Sequence, residues 1–180
     1  MVEEIIEGFK GRISKNAIIL EDRDVENELE RRGFGEREGK RLSLHYYEVL
    51  YLMYTGKLEV VNRGKKVSVN DMVKRYLKNN SQVWTKFLIY RDLRSRGYVA
   101  KEGFGFGVDF RVYDRGTFGS KPAKYVIFGI KEGTETITGN LDDMVRKIGR
   151  MGKETIIAVI ERRGEVIYYK LSEMRFRDRE

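Results

Sequence analysis

The chain has no cysteine, a single proline and a single histidine in 180 residues. Without cysteine there are no disulfides, no thiol nucleophile and no thiolate zinc site, which fits a reducing compartment or avoidance of a heat-labile residue. One histidine, His45, leaves little material for a metal centre or for the usual proton shuttle of catalysis. No apolar run approaches the roughly 18 residues a membrane helix needs, and the opening Met1-Val-Glu-Glu is acidic where a signal peptide is basic. The expectation is a soluble cytoplasmic protein with no membrane partner.

What is present is a globular composition. Hydrophobic residues make up 41% and charged residues 36%, too apolar for a disordered chain. The formal net charge of +8 points to an anionic partner, first of all nucleic acid, because clustered Lys and Arg neutralise phosphates and release counterions. A heavily solvated thermophile surface would carry the same excess of charge, so charge alone does not decide between the two.

The apolar pattern divides the chain into 1–80 and 81–180, with Asn79-Asn80-Ser81 as the break. In the first part, strands over Ala17–Leu20 and Leu58–Asn62 surround a helix capped by Ser43, with Leu44, Tyr47, Leu50 and Tyr51 on its apolar face and Gly56 at its end. A second helix starts near Asn70. The second part opens on a helix with Trp84, Phe87, Leu88 and Leu93, stopped at Gly97. Runs over Tyr98–Lys101, Asp109–Tyr113, Tyr125–Ile130, Thr155–Ile160 and Val166–Leu171 read as strands. Between them Leu141–Arg150 reads as a helix capped by Asn140, with Leu141, Met144, Val145 and Ile148 facing the core. The fold class expected is α/β (α+β), in two parts.

Functional candidates sit at the ends of these elements, where side chains are held by a scaffold yet open to solvent. Alternation puts Asp109, Arg111 and Tyr113 on one strand face, with Phe110 and Val112 towards the core. Lys153 lies between a helix end and a strand start. Metal-free RNA cleavage needs a base, an acid and a cation; Tyr113 and Lys153 could supply two of these, and no histidine is near either. Taken alone, a strand-end tyrosine is more often packing and a loop lysine more often solvated. Arg146, Lys147 and Arg150 form a basic helix face, and an arginine plane can stack on an extruded base. Asp109 and Glu102 only loosely echo an acidic metal nuclease, and neither metal nor cofactor is expected.

Leu42-Ser-Leu44, Glu48-Val-Leu-Tyr-Leu52, Gly56-Lys-Leu-Glu-Val60, Tyr90-Arg-Asp-Leu-Arg-Ser-Arg-Gly-Tyr98 and Gly107-Val-Asp-Phe110 resemble, in order and over nearly the whole chain, the archaeal tRNA-splicing endonuclease family. The resemblance implies a small mixed α/β N-terminal domain followed by a nuclease-like C-terminal domain with a central mixed sheet flanked by helices, and excision of introns from precursor tRNA at a bulge-helix-bulge, without metal, leaving 2′,3′-cyclic phosphate and 5′-hydroxyl ends. It implies Tyr113 as general base, Lys153 as the cation on the transition state and Arg146 as a clamp on a bulge base. Where the family has its general-acid histidine, three residues before Tyr125, this chain has Pro122. Lys121 and Lys124 flank that position, but an ordinary lysine is a weak acid at neutral pH. The expectation is therefore a non-catalytic subunit that partners a catalytic paralogue in an α2β2 tetramer, or forms a homodimer, through the strand carrying Ile167 and Tyr169. In the family an acidic loop docks on an opposing subunit; the matching turn here is Glu161-Arg-Arg-Gly-Glu165, with arginines between the acids. An active homomeric nuclease and a basic RNA-binding assembly module stay open as alternatives.

Overall fold

The computed structural model describes residues 8–15, 17–105, 107–131, 133 and 141–174, together with a backbone trace at Leu141. Asn140 and the side chain of Leu141, both used in the sequence reading, lie outside the described residues. The chain divides into two compact units, Met1–Arg91 and Asp92–Glu180.

In the first unit, β1 (Phe9–Ser14) pairs antiparallel with β2 (Ala17–Leu20) and parallel with β5 (Leu58–Asn62), and β6 (Lys65–Lys66) completes the order β2-β1-β5-β6. The centre of this sheet is tight. A Cβ on Gly11 of β1 would lie 2.6 Å from Ile18 Cγ2 and 3.1 Å from Leu58 Cδ1, so only glycine fits there. The helix α1 (Arg23–Arg31) starts at Asp22, whose carboxylate accepts from the Asp24 N–H at 2.8 Å, and it buries Leu29. Its buried Glu26 ties the helix to a small hairpin of β3 (Glu36–Glu38) and β4 (Arg41–Ser43), 2.8 Å from Arg37 Nη1 and 3.3 Å from the Leu42 N–H.

The helix α2 (Tyr46–Tyr54) corrects the sequence reading: Ser43 belongs to β4, and His45 stands at the N-cap position. The reason is Glu48. Its carboxylate, 1% exposed, accepts from the His45 N–H at 2.8 Å and from the Gly35 N–H at 2.9 Å, so the helix start is fixed from the third turn position backwards. Gly35 has φ +64° and no room for a Cβ, which would meet Leu42 Cγ at 2.7 Å. The helix α3 (Val69–Leu77) begins at a Ser68 cap, just before Asn70. The helix α4 (Val83–Ser95) contains the division between the units; Tyr90 packs on Tyr47 with ring centroids 4.8 Å apart, while Trp84 is exposed.

In the second unit a five-stranded mixed sheet runs in the order β11-β10-β9-β8-β7, formed by β7 (Val99–Glu102), β8 (Phe110–Tyr113), β9 (Tyr125–Lys131), β10 (Glu154–Ile160) and β11 (Val166–Leu171). Only β9 and β10 are parallel, and the helix α5 (Leu141–Arg150) lies in the crossover between them. Ile148 of α5 is buried with Val108 and Val126, with Phe104, Phe128 and Met144 packed around them. Asp109 closes the entry to β8: its N–H donates to the Ile127 carbonyl and its carboxylate accepts from the Gly129 N–H at 2.7 Å. Among the described residues, no helix is long and apolar enough to cross a membrane.

Replacing Glu48 with Ala removes the carboxylate acceptor of one buried and one half-buried N–H. The expected loss is about 3 kcal/mol in urea unfolding; a loss under about 1 kcal/mol would mean that the helix start does not depend on this carboxylate.

Candidate functional site

Three strand ends of the second unit meet in one row. Val112 is opposite Tyr125, and Tyr125 is opposite Glu154. One step further along each strand, the same register aligns Tyr113 on β8, Lys124 before β9 and Lys153 before β10. Backbone bonds hold the row: the Lys124 N–H donates to the Val112 carbonyl and the Glu154 N–H to the Lys124 carbonyl, both at 2.9 Å. The sequence-predicted pair Tyr113 and Lys153 is thus brought to the same sheet end.

Their side chains are engaged. The Tyr113 ring meets Phe118 edge-on, with centroids 5.0 Å apart. Lys153 follows the turn that ends α5 and is half-buried; its ammonium donates to the Ala123 carbonyl at 2.6 Å. The cation therefore touches the segment Lys121-Pro122-Ala123-Lys124. Pro122 is exposed there. Lys124 lies over the Tyr125 ring at 4.9 Å and 3.6 Å from Asp114. Its hydrogen bond with Tyr125, then the negative groups around it, hold its ammonium above the ordinary lysine range, which makes it a poorer acid than a free lysine.

Beside this row a cavity of about 520 Å³ opens between α5 and the strands β10 and β11, in the size range of small-ligand sites. Arg146, Arg150, Lys153 and Lys170 line it, with Glu154 and Glu173. Of the basic residues picked on α5, Arg146 and Arg150 line the cavity and Lys147 does not. Lys170, Glu154 and Glu173 were missed in the sequence. Strand alternation could have paired Lys170 with Glu154, 2.9 Å apart across β10 and β11, but nothing in the sequence brings Glu173 to Arg146. Among the described residues no group of acidic or imidazole side chains could hold a metal ion.

At the sheet edge, β11 has β10 on one side and, among the described residues, no strand on the other. Ile167 and Tyr169, on the face shared with Val159 and Ile157, are 37% and 52% exposed. Glu161 and Glu165 close the turn into β11, with the Glu161 N–H donating to the Glu165 carbonyl at 2.9 Å.

Two family models match the chain. One, described as tRNA intron endonuclease, N-terminal domain, covers residues 9–73; the other, described as tRNA intron endonuclease, catalytic C-terminal domain, covers residues 83–168. The chain belongs to the tRNA intron endonuclease family. It is similar to the protein named tRNA-splicing endonuclease of Thermococcus onnurineus, 32% identical over 171 residues, or 94% of this chain and 99% of that one. Proteins of the same name in Pyrococcus furiosus and Methanococcus vannielii are 31% and 28% identical, over 81% and 89% of this chain and 84% and 91% of theirs. The site row falls in the part matched to the family's C-terminal domain, as do Arg146, Arg150 and Lys153 of the cavity, while Lys170 and Glu173 lie just beyond it.

In this member of the tRNA intron endonuclease family, β11 is anchored on the face opposite Tyr169 by Tyr168, whose hydroxyl donates to Asp92 Oδ2 at 2.8 Å. Burial, then the Asp92 carboxylate, pushes the Tyr168 phenol well above its usual range. A raised pKa means that this stabilisation is complete below the unfolded value of 10.0 and lost as the pH rises above it. Tyr168→Phe should cost about 1.5 to 3 kcal/mol at neutral pH, for loss of a bond to a charged acceptor. The gap to the unmodified protein should shrink steadily above pH 10.0 in alkaline unfolding. A gap that stays constant there would exclude the bond as its source.

Proposed function

We propose that this chain is a subunit of an endonuclease that removes introns from precursor tRNA at bulge-helix-bulge motifs, leaving 2′,3′-cyclic phosphate and 5′-hydroxyl ends, and that within it the chain serves as the structural subunit. The names of its relatives and the family match over both halves support the activity class. The observation that carries the subunit role is Pro122, the only proline, in the segment that Lys153 contacts.

The chemistry makes the consequence concrete. Attack of a 2′-hydroxyl on the adjacent phosphate needs a base to take its proton, for which Tyr113 is the candidate. The crowded negative charge that develops on the phosphate needs a cation, for which Lys153 is the candidate, with donors to spare beyond the Ala123 carbonyl. The departing 5′-oxygen needs a proton. Pro122 has none to give, and Lys124 is held above the usual lysine range. The acid then comes from a histidine-bearing paralogue working at its own site. His45, the only histidine, caps a helix of the first unit, where its ring stacks on Tyr47 with centroids 5.2 Å apart.

On this reading Arg146 clamps an extruded bulge base, Arg150 and Lys147 add attraction for phosphate, and no cofactor takes part. The assembly is an α2β2 heterotetramer or a homodimer built through the edge of β11, with Ile167 and Tyr169 buried in it and the Glu161–Glu165 turn alongside. The compartment is the cytoplasm.

The pure chain in excess chelator should not cleave a bulge-helix-bulge RNA, and Pro122→His should raise its cleavage by about a hundredfold or more. Robust metal-independent cleavage by the unmodified chain would instead favour an active homomeric enzyme. Sedimentation should find the isolated chain dimeric at micromolar concentration. Tyr169→Asp should dissociate it, because burying one unpaired carboxylate costs about 3 to 5 kcal/mol; a variant that stays dimeric rules out this edge as the interface.

A further inference from the structure

Arg146 enters the cavity with its guanidinium gripped along one edge. Glu173 Oε2 lies 3.3 Å from Nε and Glu173 Oε1 3.5 Å from Nη2, while Asp142 Oδ2, one turn earlier on α5, lies 3.0 Å from Nη2. A guanidinium is planar and its N–H donors all point outward in that plane. Glu173 along the Nε–Nη2 edge therefore fills one of the two forks that could grip a phosphate bidentately, and Asp142 engages Nη2, which the other fork shares. The faces of the plane are left for stacking, and the side chain is 41% exposed.

The two carboxylates differ in what they can hold. Asp142 belongs to the same helix and is 67% exposed, so alone it would be a weak and mobile partner. Glu173 arrives from a different element, just past the end of β11, a strand fixed by its ladder with β10 and by the Tyr168–Asp92 bond. Contacts from two elements orient the plane where one would only tether it.

We infer that Glu173 is a positioning residue that commits Arg146 to stacking on an unpaired RNA base rather than to gripping a phosphate. This rests on the reading of Arg146 as the residue that clamps a bulge base.

The test measures binding of the full chain to two RNAs that differ only in whether the bulge nucleotide carries its base or is abasic, across a salt series. The unmodified chain should prefer the RNA with the base. Glu173→Ala should weaken binding of that RNA by about threefold and narrow the preference. It should also steepen the salt dependence by about one unit, because the released guanidinium takes up a phosphate. Glu173→Gln, which keeps an acceptor without the charge, should fall between the two. An unchanged preference and slope in Glu173→Ala, or tighter binding of the RNA with the base, overturns the inference. Arg146→Ala separates the two levels of the argument. If it abolishes the base preference while Glu173→Ala is silent, the inference alone fails. If it leaves the preference intact, or if the unmodified chain has none, the base-clamping reading fails and the inference with it.

Discussion

The second unit depends on one pairing, the parallel register of β9 with β10. Parallel neighbours cannot be joined by a tight turn, so the chain has to leave the sheet between them, and it returns through α5. That return delivers Lys153 to the start of β10 directly after the helix, beside the segment that leads into β9. The antiparallel pairing of β8 with β9 then adds Tyr113 to the same row. Slipping β10 by one residue would turn Ala158 and Ile160, buried on one face, to the other, so their burial protects the position of Lys153 as well as the core.

Electrostatics around the cavity follow a second rule. Three of the four lining cations have partners that offset their mutual repulsion: Lys170 meets Glu154, Arg146 meets Asp142 and Glu173, and Lys153 meets a carbonyl. Such partly exposed pairs add little to stability. Their effect is directional, because each partner decides which side of the cation remains for an incoming anion or base. On a basic surface of this kind net charge sets the long-range attraction of anions and the carboxylates set which cation edges remain open to them.

The edge strand β11 joins these features. Its inner face is tied down through Tyr168, and its outer face carries Ile167 and Tyr169, apolar and exposed on a strand with no further strand beside it among the described residues. The same strand carries Lys170 and leads to Glu173, both lining the cavity.

Much of this was legible in the sequence. The mixed α/β class, the strands Ala17–Leu20, Leu58–Asn62 and Val166–Leu171 and the helix Leu141–Arg150 follow from apolar content and spacing alone, because each carries its apolar residues in a run or at a regular period. The absence of an acid at position 122 is likewise a property of composition, since proline carries no proton to give. Elements with little apolar content escaped: α1 is mostly charged and buries a carboxylate, Glu26, whose partners Arg37 and Leu42 are distant in sequence, and β3 and β4 are three residues each. The start of α2 was misread for the same reason, because Glu48 fixes it through a bond to Gly35, thirteen residues away. Periodicity reports which face of a residue's own element is buried. Only the tertiary structure decided which residues of different elements meet, such as Lys153 with Ala123 and Arg146 with Glu173, because those contacts depend on strand register and on where the chain re-enters the sheet.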